Sequence, residues 1–135
     1  MSLVIDASVG TGFMLPDEID PVSIKAFKLL HDGEETWVPA HWATEVANAL
    51  LYAEPKRITE ALSEELCAAA LRLPLHVDGE TFQRAFTSTL ALAKRHTLTV
   101  YDAAYLELAM RKGATLATKD AALAKAAKSA GVPLL

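Results

Sequence analysis

Two hydrophobic periods alternate along this chain, one of strands and one of helices. The run Leu3-Val4-Ile5 is largely β-branched, too short for a helix, and stops at Asp6, which predicts a buried first strand. A loop or helical turn containing Gly10, Gly12 and Pro16 follows. Helical spacing then covers 21–30, with Pro21 in the first turn and Asp20 as cap. Asp32-Gly33 ends that helix, and 36–39 reads as a short strand. Helices are expected over 41–53, stopped by Pro55, and over 59–73, ending before Pro74. A strand at 75–77 leads into a long amphipathic helix over 79–96 and another over 99–111, closed by Gly113. The chain closes with a strand at 115–118, an Ala- and Lys-rich helix over 120–130, and a final strand at 132–135. Strands alternating with helices predict an α/β fold with a mostly parallel sheet covered on both faces.

Length and composition narrow this further. At 135 residues, one domain spanning 1–135 is expected. A hydrophobic fraction of 52% excludes disorder. No apolar run reaches the ~18 residues of a membrane-crossing helix. The N-terminus meets an acid at Asp6 without a basic segment, unlike a secretory leader. The single cysteine, Cys67, cannot form an internal disulfide, which suits a reducing cytoplasm.

The net charge of −4 speaks at first against a nucleic-acid partner. If four of the 17 acids gather around metal, however, the other 13 balance the 13 bases, and global charge decides nothing. Lys56-Arg57 and Lys94-Arg95 remain available to phosphates.

The chemistry concentrates in acids. Ligands of open α/β sheets bind beyond the carboxyl ends of strands, where Asp6 and Asp120 are expected to stand. Each alone reads equally as a helix cap. On a helical wheel of 99–111, Ala104, Glu107 and Arg111 share one face, read as solvated. Asp102 falls on the opposite stripe with Tyr105, Leu106 and Ala109 and points inward, although Thr99 and Asp102 could also form a capping box. In the 41–53 helix, Glu45 borders the apolar stripe of Trp42, Val46, Ala49 and Leu50, forming a polar ridge with His41 and Asn48. Four converging acids repel unless protonated or bound to cations, and an all-carboxylate set selects Mg²⁺ or Mn²⁺ over zinc. The four histidines show no ligand spacing. Gly10-Thr11-Gly12 lacks the Lys of a P-loop and the third Gly of a dinucleotide fingerprint, and no serine elbow is present.

These segments resemble the PIN-domain ribonucleases, and among them the VapC toxins of toxin–antitoxin pairs. The resemblance rests on Val4-Ile5-Asp6-Ala7-Ser8, on 44–50 around Glu45 and Asn48, on 101–109 around Asp102, and on 114–120 ending in Thr118-Lys119-Asp120. It implies a three-layer α/β/α fold with a mostly parallel sheet of about five strands. It implies metal held by Asp6, Glu45, Asp102 and Asp120, with hydroxyl support from Thr118 and Ser8. It further implies cleavage of structured RNA such as transfer or ribosomal RNA, a homodimer, and an antitoxin partner. The rival readings are a non-catalytic α/β module whose acids merely cap helices, a PIN-type nuclease of RNA processing, a DNA flap nuclease, and a phosphatase or receiver domain. The chain is too short for the insertions of a flap nuclease, and Ser8 stands where a phosphatase would carry a second acid.

Overall fold

The computed structural model describes residues 1–135. Strand β1 (Ser2–Ile5) is the centre of a parallel sheet whose order is β3-β2-β1-β4, with β2 at Glu35–Val38, β3 at Leu75–Val77 and β4 at Thr115–Ala117. Val4 aligns with Trp37 on one side and Leu116 on the other. Leu3, Val4 and Ile5 are buried, as a parallel strand covered on both faces must be. The helices are α1 (Ala7–Met14), α2 (Pro21–His31), α3 (Trp42–Ala53), α4 (Glu60–Ala70), α5 (Thr81–Arg84), α6 (Leu90–His96), α7 (Val100–Lys112) and α8 (Ala121–Ser129). A π turn at Ala85–Thr89 joins α5 to α6, so the long helix expected over 79–96 carries an interruption. No helix is long and apolar enough to cross a membrane.

Three expectations need correction. Residues 7–14 form a full helix of eight residues, longer than the loop or helical turn expected there, and its glycines serve close packing. A Cβ on Gly10 would stand 2.7 Å from Cζ2 of the buried Trp42, and one on Gly12 would collide with the Ser23 hydroxyl. Glycine here lets α1 approach α3 and α2. Gly10→Ala is therefore expected to lower stability by about 1–3 kcal/mol through overpacking, more than the ~1 kcal/mol that Ala gains over Gly in a helix. Denaturant midpoints check this, and an unchanged midpoint would mean that the Trp42 ring moves aside.

The final strand is also shorter than expected. Beyond β4 the tail makes a single bridge, Leu134 beside Leu116, with hydrogen bonds from the Leu116 amide to the Pro133 carbonyl and from the Leu135 amide to the Leu116 carbonyl. Pro133 has no N–H to offer a ladder. The sheet thus has four strands and one added bridge. Third, the face of α7 bearing Ala104, Glu107 and Arg111 is not solvated: Glu107 is 5% exposed and the Arg111 side chain 14%. Arg111 binds Asp78 at 2.7 Å and Glu107 at 2.8 Å beneath the α5–α6 segment.

The topology places the site. The chain steps outward from β1 to β2 and β3, then crosses back to β4 on the other side of β1. Connections therefore leave β1 and β4 in opposite senses, and their carboxyl ends form the switch point at which open α/β sheets bind ligands.

Candidate metal centre

Asp6 ends β1 and caps α1, its Oδ1 accepting from the Val9 amide at 3.0 Å and the Ser8 hydroxyl at 2.6 Å. Its Oδ2 accepts from the Thr118 hydroxyl, which follows β4. The Asp6 amide donates to the Ala117 carbonyl, and its carbonyl accepts from Trp42 Nε1 at 3.2 Å. The first residue of α3 is thereby pinned to the end of β1, which brings Glu45 to the site one turn later. Asp120 caps α8 through the Ala122 amide, while its own amide donates to Thr118 Oγ1. The Lys119 amide donates to Ser8 Oγ, closing the loops after β1 and β4 onto one another. Thr118 and Ser8 thus link the two strand ends. Asn48 stands exposed on α3 and forms no hydrogen bond with the acids.

Capping leaves carboxylate oxygens free here. Asp120 caps with one oxygen and leaves the other free. At Asp102, the Thr99 hydroxyl accepts from the Asp102 amide at 3.1 Å, but the reciprocal bond of a capping box is not made, and the carboxylate remains available.

The acids sense one another. Burial pushes the Asp102 carboxyl up, and the charges of Asp120, Glu45 and Asp6 push it further, against a hydrogen bond with Thr99. Burial also raises Asp6, which is 4% exposed; donors from Ser8, Thr118 and Val9 offset part of this, and the Asp120 charge adds to it. Glu45 moves the other way. Burial would raise it, but hydrogen bonds from His41 and Tyr105 outweigh burial and hold it below its ordinary range.

Sequence reasoning set His41 on the ridge beside Glu45 without giving it a role, and it placed Tyr105 on the inward stripe without a partner for its hydroxyl. The hydroxyl of buried Tyr105 donates to Glu45 Oε1 at 2.6 Å, and His41 Nε2 lies 3.2 Å from the same oxygen and 3.1 Å from the Tyr101 carbonyl. Burial, the bond to Glu45 and the surrounding charges of Glu45, Asp6 and Asp102 push the Tyr105 hydroxyl strongly up, so it stays a donor. Signals existed: an inward tyrosine needs a partner for its hydroxyl, and His41 is four residues before Glu45 on one helix face.

No lysine or arginine pairs with Asp6, Glu45, Asp102 or Asp120; the imidazole of His41 alone reaches Glu45. The donor set, four hard oxygens with unneutralised charge, suits Mg²⁺ or Mn²⁺. In their present rotamers no three acids close on a single ion. The four acids expected to hold metal together are thus near enough to sense one another's charge but are not drawn into one coordination shell.

The PIN domain family model matches residues 3–129. Ribonuclease VapC3 of Pyrobaculum aerophilum is 36% identical over 130 residues, which cover 93% of this chain and 94% of that protein. Among solved structures, PAE2754 from Pyrobaculum aerophilum superposes with a TM-score of 0.70 at 20% identity, covering 93% of this chain and 84% of that one. VapBC2 from Rickettsia felis, solved bound to a DNA fragment from its promoter, gives a TM-score of 0.68 at 13% identity, covering 100% and 98%. At these identities the two structures speak for the fold.

Proposed function

The chain belongs to the PIN-domain family, and from that membership we propose that it is a metal-dependent endoribonuclease of the VapC type, the toxin of a toxin–antitoxin pair. The observation that carries the chemistry is a site of four acids close enough to sense one another, with no lysine or arginine to neutralise them. Asp6 and Asp102, both pushed up by burial, would hold Mg²⁺ or Mn²⁺, with Asp120 and Glu45 completing the shell directly or through water. Such an ion, when bound, activates water and shields the charge of an in-line phosphoryl transition state. Thr118 and Ser8 fix Asp6 by donating to both of its oxygens. Tyr105 and His41 keep Glu45 ionised and hold it by Oε1, leaving Oε2 to accept a hydrogen bond from a water. Asn48, exposed one turn beyond Glu45, would meet the substrate and not the acids.

The substrate we propose is structured RNA of the transfer or ribosomal kind, met in the cytoplasm. Exposed Leu51 and Tyr52 on α3 and Tyr101 beside Asp102 supply apolar surface for a second copy and for an antitoxin segment. Capping uses one oxygen of Asp6 and one of Asp120 and none of Asp102 or Glu45, so a purely capping role would leave the acids' mutual repulsion without purpose. Cleavage of a folded RNA with added Mn²⁺, lost on addition of EDTA and restored by excess Mn²⁺, is the expected result. Cleavage that survives EDTA would remove the metal mechanism.

A further inference from the structure

Charge is segregated on this molecule. None of the 17 acids falls in residues 85–101 or 121–135, the segments that carry α6 and α8. Their bases stand free. Arg57, Arg84, Arg111, Lys28 and Lys119 are all engaged by carboxylates; of the eight bases that make no ion pair, Lys94, Arg95, Lys125 and Lys128 are exposed on these two segments, and Lys25, Lys56, Arg72 and Lys112 lie elsewhere. Arg95 and Lys125 face each other across a groove of about 400 Å³, with His96 and Thr97 beside the first and Ala126 and Ser129 beside the second; Lys94 and Lys128 are their neighbours on α6 and α8, outside its lining.

One end of the groove comes within two residues of Asp120. Ala122, whose amide Asp120 caps, belongs to its lining. Thr97, in the left-handed region at φ 54°, turns the chain from α6 into α7, where Thr99 caps the turn that carries Asp102. Lys125 and Lys128 are three residues apart on one face of α8, about 7.5 and 12 Å along the axis from Asp120 at ~1.5 Å per residue. Lys94, Arg95 and His96 by themselves would need no ligand, since cations suit a helix C-terminus. That reason does not extend to Lys125, in the middle of α8.

We infer that this groove is the track for the phosphate backbone of the RNA strand flanking the scissile bond. The inference rests on the ribonuclease reading and names the surface that grips its substrate. A site of four carboxylates repels a polyanion, so a cation-lined channel leading to it supplies the attraction that the centre lacks.

The test compares wild type with the Arg95→Gln/Lys125→Gln/Lys128→Gln triple variant, binding a labelled single-stranded oligouridylate in EDTA across a salt series. Without these three cations, the slope of log affinity against log salt should flatten by about 2, at ~0.7 per phosphate neutralised, and affinity near ~50 mM salt should fall roughly tenfold or more. Unchanged affinity and slope would overturn the groove. A matched polyglutamate that binds wild type more tightly than the oligouridylate, and loses that binding in the variant, would also overturn it and assign the surface to an acidic peptide. Hydrolysis of bis(p-nitrophenyl) phosphate with Mn²⁺ needs only the acids and should be equal in both proteins. If neither protein hydrolyses this diester while RNA binding still depends on the three bases, the groove stands and the nuclease reading fails.

Discussion

Asp102→Asn is expected to cut RNA cleavage on the order of a thousandfold or more while leaving the fold intact. An amide is a poor ligand for Mg²⁺, and several kcal/mol of metal-borne transition-state stabilisation correspond to that factor. The structure explains why the fold survives: the Asp102 side chain holds up no other element, and the cap of α7 uses its amide. A second readout separates this from simple damage. Because burial and three neighbouring acids raise the Asp102 carboxyl, its contribution to stability is fully present below the unfolded pKa of ~3.9 and is lost as pH rises through the folded value. Asparagine does not titrate. Relative to wild type, the metal-free variant should therefore gain stability from acid toward neutral pH. Added Mn²⁺ should narrow the gap, since a ligand at a hundredfold excess over Kd stabilises the folded state by about 2.7 kcal/mol. Wild-type cleavage rates in a nuclease-free preparation would sink the mechanism, and a stability difference independent of pH would remove the clustered-charge account.

The parts of this site legible in the sequence are those where a single local rule governs position. A β-branched run ending at an acid put Asp6 at a strand end, and Thr115-Leu116-Ala117 did the same for Thr118 and Asp120. On α7 the inward stripe of Tyr105, Leu106 and Ala109 is buried as expected, and Asp102 lies on it at the site. What was not legible depends on partners far along the chain. Gly10 and Gly12 resemble helix breakers until Trp42 and Ser23 are seen against them. Tyr105 reads as core until its hydroxyl meets Glu45, 60 residues earlier. A one-residue bridge at Leu134 cannot be told from a strand by apolar character alone. Charge is the most deceptive signal of all. A carboxylate and a guanidinium four residues apart look like a solvated face, and the same pair can be buried when further acids complete its hydrogen bonds.

The face of α7 shows this, and Arg111→Met should destabilise the protein by about 3–5 kcal/mol. Arg111 donates to Asp78 at 2.7 and 3.1 Å, to Glu107 at 2.8 and 3.1 Å, and to Glu80 at 3.2 Å. It ties the turn after β3 to the last turn of α7. Methionine keeps much of the side-chain volume, so most of the loss should be electrostatic: buried Glu107 is left with Arg84 at 3.9 Å, and buried Asp78 with the Glu80 amide and the Thr81 hydroxyl and no cation. The pH dependence distinguishes this from a packing defect. In wild type, burial raises the Asp78 carboxyl but hydrogen bonds from Arg111, the Glu80 amide and Thr81 outweigh it and hold it below its ordinary range. Its contribution is thus present above the unfolded pKa of ~3.9 and lost as pH falls through the folded value. Without Arg111 the burial effect meets less opposition, the carboxyl moves up, and the sign reverses: the variant loses stability as pH rises. The gap between the two proteins in denaturant unfolding should be widest near neutral pH and shrink toward pH ~4. A gap that stays constant across this range would mean that Arg111 contributes through its packed stem, and a gap under ~1 kcal/mol would place the whole cluster among ion pairs of exposed kind.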